Sequence, residues 1–388
     1  MSSEPSFFFV AGEPSGDLHG AHLVEELRRL APGARCRGFG GERMRAAGME
    51  LLEDLASDAV MGIFPVIAAL PRIRGWFDLA LEELRRDPPS ALVLIDYPGF
   101  NLRLARRARE LGVPVVYYIS PQIWAWHTSR VKKIERDVDL MIPILPFEEE
   151  FYRDHGVPVF FPGHPVVDHL ESLEIDAGLV SSLREGAELV LGLFPGSRRH
   201  VVDSLAPVFA RAVRELRARP EGAGLRVVVA AADAALAERL AREPEFSDGD
   251  ARIEIGRPYE VMRAADLALT TSGTTTIELA AMGVPMVLAY RVSAPFYLVG
   301  RAVLKVPHIG LVNLVAGREV VREHIGVGNF GGELAEDLAE LRRDEERRET
   351  MRRDLAAIRE KLDRKGSYAR TAERILEFTR EPRPRPRD

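Results

Sequence analysis

Five short segments of the chain place reactive residue types where chemistry could be done. In Asp96-Tyr97-Pro98-Gly99-Phe100-Asn101 a carboxylate follows the apolar run Ala91 to Ile95. Open α/β sheets receive ligands at the carboxyl ends of their strands, so Asp96 is a candidate general base toward a sugar hydroxyl. The alternative role is a cap on the next helix, which Asn101 is placed to fill. Ala11 to Asp17, AGEPSGD, follows another apolar run and opens onto a helical pattern. A glycine turn there lets a ligand approach the backbone, and the helix amino terminus favours an anion. Glu13 and Ser15 are the candidate side chains; a tight turn with Asp17 as helix cap is the plainer alternative. The segment has neither GxGxxG spacing nor a Walker lysine pattern, which argues against a dinucleotide or P-loop site. Ser120 to His127, SPQIWAWH, brings Gln122, Trp124 and His127 into one loop, where flat rings suit a sugar or acyl face unless a tryptophan is needed for core packing.

The other two segments suit an anion. Pro195-Gly196-Ser197-Arg198 offers backbone and hydroxyl donors at Gly196 and Ser197 and a guanidinium fork at Arg198. Thr270 to Glu278, TTSGTTTIE, is the strongest signal: small hydroxyl residues surround Gly273 at the start of a helix, with Ser272 and Thr274 on either side. Such a turn cradles a nucleotide diphosphate through N–H groups and the helix dipole. Glu278, one turn further on, is placed to accept from both ribose hydroxyls, although Thr275 and Glu278 also have the spacing of a capping box.

The elements that must position these segments alternate along the whole chain. Strands are expected at Phe7 to Ala11, Ala91 to Ile95 and Val113 to Ile119, with helices at His22 to Leu30 and Leu102 to Leu111. From Leu189 the alternation restarts and runs through Met286 to Tyr290. The expected fold class is α/β, with two facing Rossmann-like domains and an interdomain cleft. Residues 1–170 are assigned to an amino-terminal domain on the acceptor and membrane side and residues 171–345 to a carboxyl-terminal domain that binds the sugar nucleotide. Residues 346–378 form terminal helices that can pack back on the first domain, and 379–388 a disordered tail.

Composition narrows the classes. A chain of 388 residues with 46% apolar residues suffices for two cores, and a net charge of −6 gives no general attraction to nucleic acid. Cys36 is the lone cysteine, and no Cys/His cluster has metal-ligand spacing, so a reducing compartment and no metal are expected. The amino terminus lacks the features of a signal peptide, which places the expected location in the cytoplasm. No apolar stretch reaches the roughly 20 residues that span a bilayer. Met61 to Trp76 mixes Ile63, Phe64 and Trp76 with Arg72 and Arg74, and Phe296 to Pro307 has a similar mixture, which suits peripheral contact with an anionic surface or an acyl chain; a core helix with a solvated edge is the alternative.

Taken together, AGEPSGD, MGI at Met61, DYPGFN, SPQIWAWHTSRVKKI, LPFE at Leu145, PGH at Pro162, PGSR, SGTTTIE, PMVLAYR and NLVAGRE resemble the lipid-A-disaccharide synthase family over nearly the whole chain. The resemblance implies an inverting, cofactor-free transfer of 2,3-diacylglucosamine from UDP-2,3-diacylglucosamine to the 6-hydroxyl of 2,3-diacylglucosamine 1-phosphate, at the cytoplasmic face of the inner membrane. It implies Asp96 as the base, Arg198 with Ser272 to Thr274 on the diphosphate, and Glu278 on the ribose. It also implies Asn313, Glu13 and Gln122 as cleft-lining residues. Two other readings stay open on the residues alone. One is a UDP-sugar epimerase of the same plan, using groups such as His127 and Glu13; the other is a membrane-surface protein without turnover.

Overall fold

The computed structural model describes residues 4–56, 63–126, 130–294 and 306–381, with the side chains of 63–69 and 126 outside that set. Two compact units emerge, the first comprising Met1–Asp168 and Arg364–Asp388 and the second His169–Asp363.

In the first unit, β1 (Ser6–Ala11), β2 (Arg35–Gly40), β3 (Glu50–Asp54), β4 (Ala91–Ile95), β5 (Val115–Tyr118) and β6 (Leu140–Ile142) form one sheet in the order β3-β2-β1-β4-β5-β6. All neighbours pair in parallel. The second sheet contains β7 (Leu189–Phe194), β8 (Leu225–Ala231), β9 (Ala251–Ile255), β10 (Leu267–Thr271), β11 (Met286–Arg291) and β12 (Glu323–Gly326), in the order β12-β11-β10-β7-β8-β9 and again parallel. Each is a doubly wound sheet whose strand order reverses once, between β1 and β4 in the first unit and between β7 and β10 in the second.

The helices are α1 (Pro14–Leu30), α2 (Glu42–Ala46), α3 (Ile63–Arg86), α4 (Pro98–Glu110), α5 (Ile123–Trp126), α6 (Val131–Asp137), α7 (Pro146–Asp154), α8 (Pro165–Ser172), α9 (Ala177–Arg184), α10 (Arg199–Arg217), α11 (Ala234–Leu240), α12 (Pro258–Ala264), α13 (Thr274–Ala281), α14 (Leu311–Ala316), α15 (Gly331–Arg343), α16 (Glu345–Leu362) and α17 (Ser367–Arg380). Among the described residues, no helix is long and apolar enough to cross a membrane.

Strands buried on both faces need no polar side, which is why β4 and β7 read as unbroken apolar runs. Alternate residues serve different cores: Phe8, Val10, Leu92, Leu94 and Tyr117 point to one, while Phe7, Phe9, Val93, Ile95 and Tyr118 point to the other. Three strands escaped the sequence reading. β2 has the sequence RCRGFG, and its buried Arg37 is met by Glu83 on α3 at 2.6 Å and donates to the Asp87 carbonyl at 2.7 Å. At Gly38 a Cβ would stand 2.1 Å from the Phe9 carbonyl oxygen, so the residue that weakens the strand pattern is the one that lets β1 and β2 pair. β3 (ELLED) and the short edge strand β12 (EHIG) carry too few apolar residues to register alone.

The terminal segment 346–378, treated as one piece on sequence, is divided by the structure. α16 belongs to the second unit, whereas α17 returns to the first and packs on α1. Asp168 fixes that return by accepting hydrogen bonds from the backbone N–H of Gly366 (2.9 Å) and Ser367 (2.6 Å) and from the Ser367 hydroxyl (2.6 Å).

Candidate functional site

In the first unit, Asp96 follows β4 directly and the AGEPSGD turn follows β1, so both lie where the strand order reverses. The chain turns sharply at Asp96 and Tyr97, each with φ +47°. Left-handed backbone costs a residue with a Cβ roughly 1–2 kcal/mol, and such strain clusters at functional sites. The Asp96 carbonyl oxygen accepts hydrogen bonds from the Tyr117 hydroxyl (2.6 Å) and Asn101 Nδ2 (2.8 Å). Asn101 is therefore not the expected helix cap: α4 begins at Pro98, and Asn101 lies fully buried within it, reaching back to the turn. The sequence suggested a start near Leu102 because the strained turn has no propensity signature.

Burial, and then the charge of Glu13, push the Asp96 carboxyl up to about 6, against the pull of the Tyr97 N–H. Asp96 is thus a carboxylate poised to exchange a proton near neutral pH. Gly12 is obligatory beside it, since a Cβ there would lie 2.4 Å from the Tyr97 ring. Asp17 does not cap α1. Its carboxylate accepts from the N–H groups of Gly41 (2.8 Å), Arg43 (3.2 Å) and Met44 (3.1 Å), capping α2 instead. Glu13 precedes Pro14 at the start of α1, and Ser15 is exposed.

In the SPQIWAWH loop, Gln122 is exposed while Trp124 is buried, with its indole N–H given to Glu148 Oε1 at 2.9 Å. Ser120 Oγ donates to the same oxygen at 2.7 Å. Burial drives Glu148 up to about 7, with the Ser120 and Trp124 hydrogen bonds opposing. Trp124 thus supports the loop rather than presenting a face to a ligand, and His127 lies outside the described residues. Trp76, expected at a membrane or acyl chain, is buried in the core with its N–H 3.3 Å from Glu53 Oε2 and Arg72 above its ring. The stretch was ambiguous because an interfacial and a buried tryptophan have the same neighbours in sequence. Ile63 and Phe64 begin α3, and their side chains are outside the described set, as are residues 295–305.

In the second unit, PGSR follows β7 and TTSGTTTIE spans the end of β10, again at the reversal of strand order. The turns use glycine: Gly196 has φ +104° and Gly273 φ +146°. A Cβ on Gly196 would come within 3.3 Å of Thr271, so the two loops are neighbours. Arg198 precedes α10 and Gly273 precedes α13, and neither helix has a side-chain cap. Two uncapped helix amino termini therefore open beside one another, with Ser197, Arg198 and Thr274 exposed. Thr271 Oγ1 is buried without a partner, and Ser272 Oγ contacts the Ile309 carbonyl at 3.4 Å.

The capping box at Thr275 and Glu278 does not form. Glu278 instead accepts from the Tyr259 hydroxyl at 2.9 Å, and burial raises its carboxyl above the ordinary range. Asn313 corrects the expectation of a cleft-lining residue. It is fully buried, its Nδ2 donates to the Val321 carbonyl (2.7 Å) and Glu323 Oε1 (2.7 Å), and its Oδ1 accepts from the N–H groups of Val320 (2.7 Å) and Val321 (3.0 Å). Every hydrogen-bonding position is used within the protein. Glu323, which sequence reasoning missed, also accepts from the N–H groups of Ile309 (2.8 Å) and Gly310 (3.1 Å), tying the approach to α14.

Two doubly wound parallel sheets, one bearing a raised carboxylate at its switch point and the other two uncapped helix amino termini, define the glycosyltransferase fold of two Rossmann-like domains. Solved structures of that fold include the calicheamicin glycosyltransferase CalG4 (18% identity, TM-score 0.59, 97% of this chain and 98% of that one). They also include the UDP-GlcNAc 2-epimerase of Neisseria meningitidis bound to UDP-GlcNAc (11%, TM-score 0.60, 96% and 98%), so fold does not separate transferase from epimerase. Sequence does: the chain belongs to the lipid-A-disaccharide synthetase family, whose model matches residues 7–377, and it is a glycosyltransferase. The lipid-A-disaccharide synthase of Geobacter sulfurreducens is 43% identical over 372 residues, covering 95% of this chain and 96% of that protein.

Proposed function

We propose that the chain transfers 2,3-diacylglucosamine from UDP-2,3-diacylglucosamine to the 6-hydroxyl of 2,3-diacylglucosamine 1-phosphate, forming the β-1,6-linked disaccharide 1-phosphate and UDP. In this reading Asp96 takes the hydroxyl proton as that oxygen attacks the anomeric carbon from the face opposite UDP. The bond from the anomeric carbon to the diphosphate oxygen breaks, and UDP leaves with the bonding pair. Arg198 and the N–H groups of the Ser272, Gly273 and Thr274 turn meet the growing negative charge. Glu278 accepts from the ribose, with Tyr259 orienting it. A single displacement inverts the anomeric centre. The acylated substrates imply that the protein works at the cytoplasmic face of the inner membrane.

The observation that carries this reading is Asp96, held at a sheet switch point with its carboxyl raised to about 6. UDP release from UDP-2,3-diacylglucosamine, measured with and without the acceptor, tests it. Release should require acceptor and should fall about 10²- to 10⁴-fold in Asp96→Asn. Equal release without acceptor would remove the transferase assignment, and an active variant would remove Asp96 as the base.

A further inference from the structure

We propose that Tyr117 and Asn101 are positioning residues that hold Asp96 in its left-handed turn and so aim its carboxylate at the acceptor hydroxyl. This inference rests on Asp96 being the base. Three features of the structure carry it.

The first is where strain falls. Among the described residues, Asp96, Tyr97 and Ile119 have positive φ without being glycine, and the first two are consecutive. Left to itself, that backbone would relax to the right-handed or extended region, turning the Asp96 side chain away. The second is the clamp. Tyr117 and Asn101 approach from different elements, β5 and α4, and both donate to the Asp96 carbonyl oxygen, at 2.6 and 2.8 Å. Asn101 Nδ2 also reaches the Ile95 carbonyl at 3.2 Å, so it holds two successive carbonyls at the entry to the turn. Both clamping residues are fully buried, which fixes their positions and keeps water from competing for the carbonyl.

The third feature is that the clamp leaves the carboxylate untouched. Both bonds go to the main chain of Asp96, so its orientation is set without consuming the lone pairs that must receive a proton. The titratable groups facing Asp96 are Glu13 from the start of α1 and the Tyr117 phenol on β5. Glu13 is the one among them that opposes the charge on Asp96.

Tyr117→Phe tests the clamp, because it removes one hydroxyl and keeps the ring. Once the turn relaxes, Asp96 moves out of its buried place beside Glu13. The value of kcat should fall about ten- to hundredfold, as for an ångström-scale misplacement of a reacting group, with KM for the sugar nucleotide unchanged. The acid limb of the pH profile of kcat should move to lower pH, toward an ordinary carboxylate. A loss of packing alone would reduce the folded fraction without moving that limb. Asn101→Ala should give the same two signatures. Wild-type kcat and an unmoved acid limb in both variants, alongside an inactive Asp96→Asn, would overturn the clamp while sparing the base. An active Asp96→Asn would overturn both.

Discussion

The two sheets reverse their strand order at equivalent places, yet they bend the chain there by opposite means. After β4 the turn is made by Asp96 and Tyr97, which resist the conformation and are held in it from outside. After β7 and β10 it is made by Gly196 and Gly273, which accept it without a penalty. The difference follows from what each turn presents. A proton acceptor must be a side chain, so the residue in the bend cannot be glycine, and the strain must be carried by neighbours. In the proposed reaction a diphosphate would be gripped by N–H groups at the second pair of turns, so the bend needs no side chain and is best made where none stands between backbone and ligand.

Three perturbations would break or sharpen that contrast. The largest effect is expected from Asn313→Ala, which strands the N–H groups of Val320 and Val321 and one oxygen of Glu323. The second unit should lose about 2–4 kcal/mol of stability in urea titration. Activity per folded molecule should survive; an inactive but fully stable variant would show that Asn313 meets substrate after all. Next is Arg198→Ala. Removing a charge-assisted partner of the diphosphate should weaken UDP binding, read by calorimetry, by about ten- to hundredfold. Unchanged affinity would mean that the helix termini hold the diphosphate alone.

The smallest effect concerns stability at the strained turn. The folded carboxyl of Asp96 is raised to about 6, so its ionisation opposes folding. Below the ordinary carboxylate range near pH 4 both states hold the proton and the cost is absent. It grows as pH rises toward 6 and stays constant above, so Asp96→Asn should stabilise the first unit by roughly 2 kcal/mol at pH 7 and not at all at pH 3.5. Melting curves at the two pH values would show it. An equal gain at both would point to relief of backbone strain instead of charge.

Much of the scaffold was legible before any coordinates. Runs such as ALVLI and LVLGLF announce strands buried on both faces, and their spacing against helical patterns calls for parallel sheets. The motifs fell at strand ends in the sequence reading and lie there in the structure. What a motif residue touches was far less legible. Asn101, Trp76, Trp124 and Asn313 all looked free to cap, bind or insert, and all four are buried with their side-chain N–H groups donated within the protein. Asp17 likewise spends its carboxylate on a helix that starts 25 residues later.

By itself the sequence determined the fold class and the family and put the candidate motifs at strand ends, because apolar periodicity and motif spacing are local properties of a chain. Only the tertiary structure decided which polar residues are scaffold and which remain available. That depends on partners such as Glu148 for Trp124 or Tyr117 for Asp96, brought together from distant positions by sheet register, and on burial, which with the charge of Glu13 raises the Asp96 carboxyl to about 6.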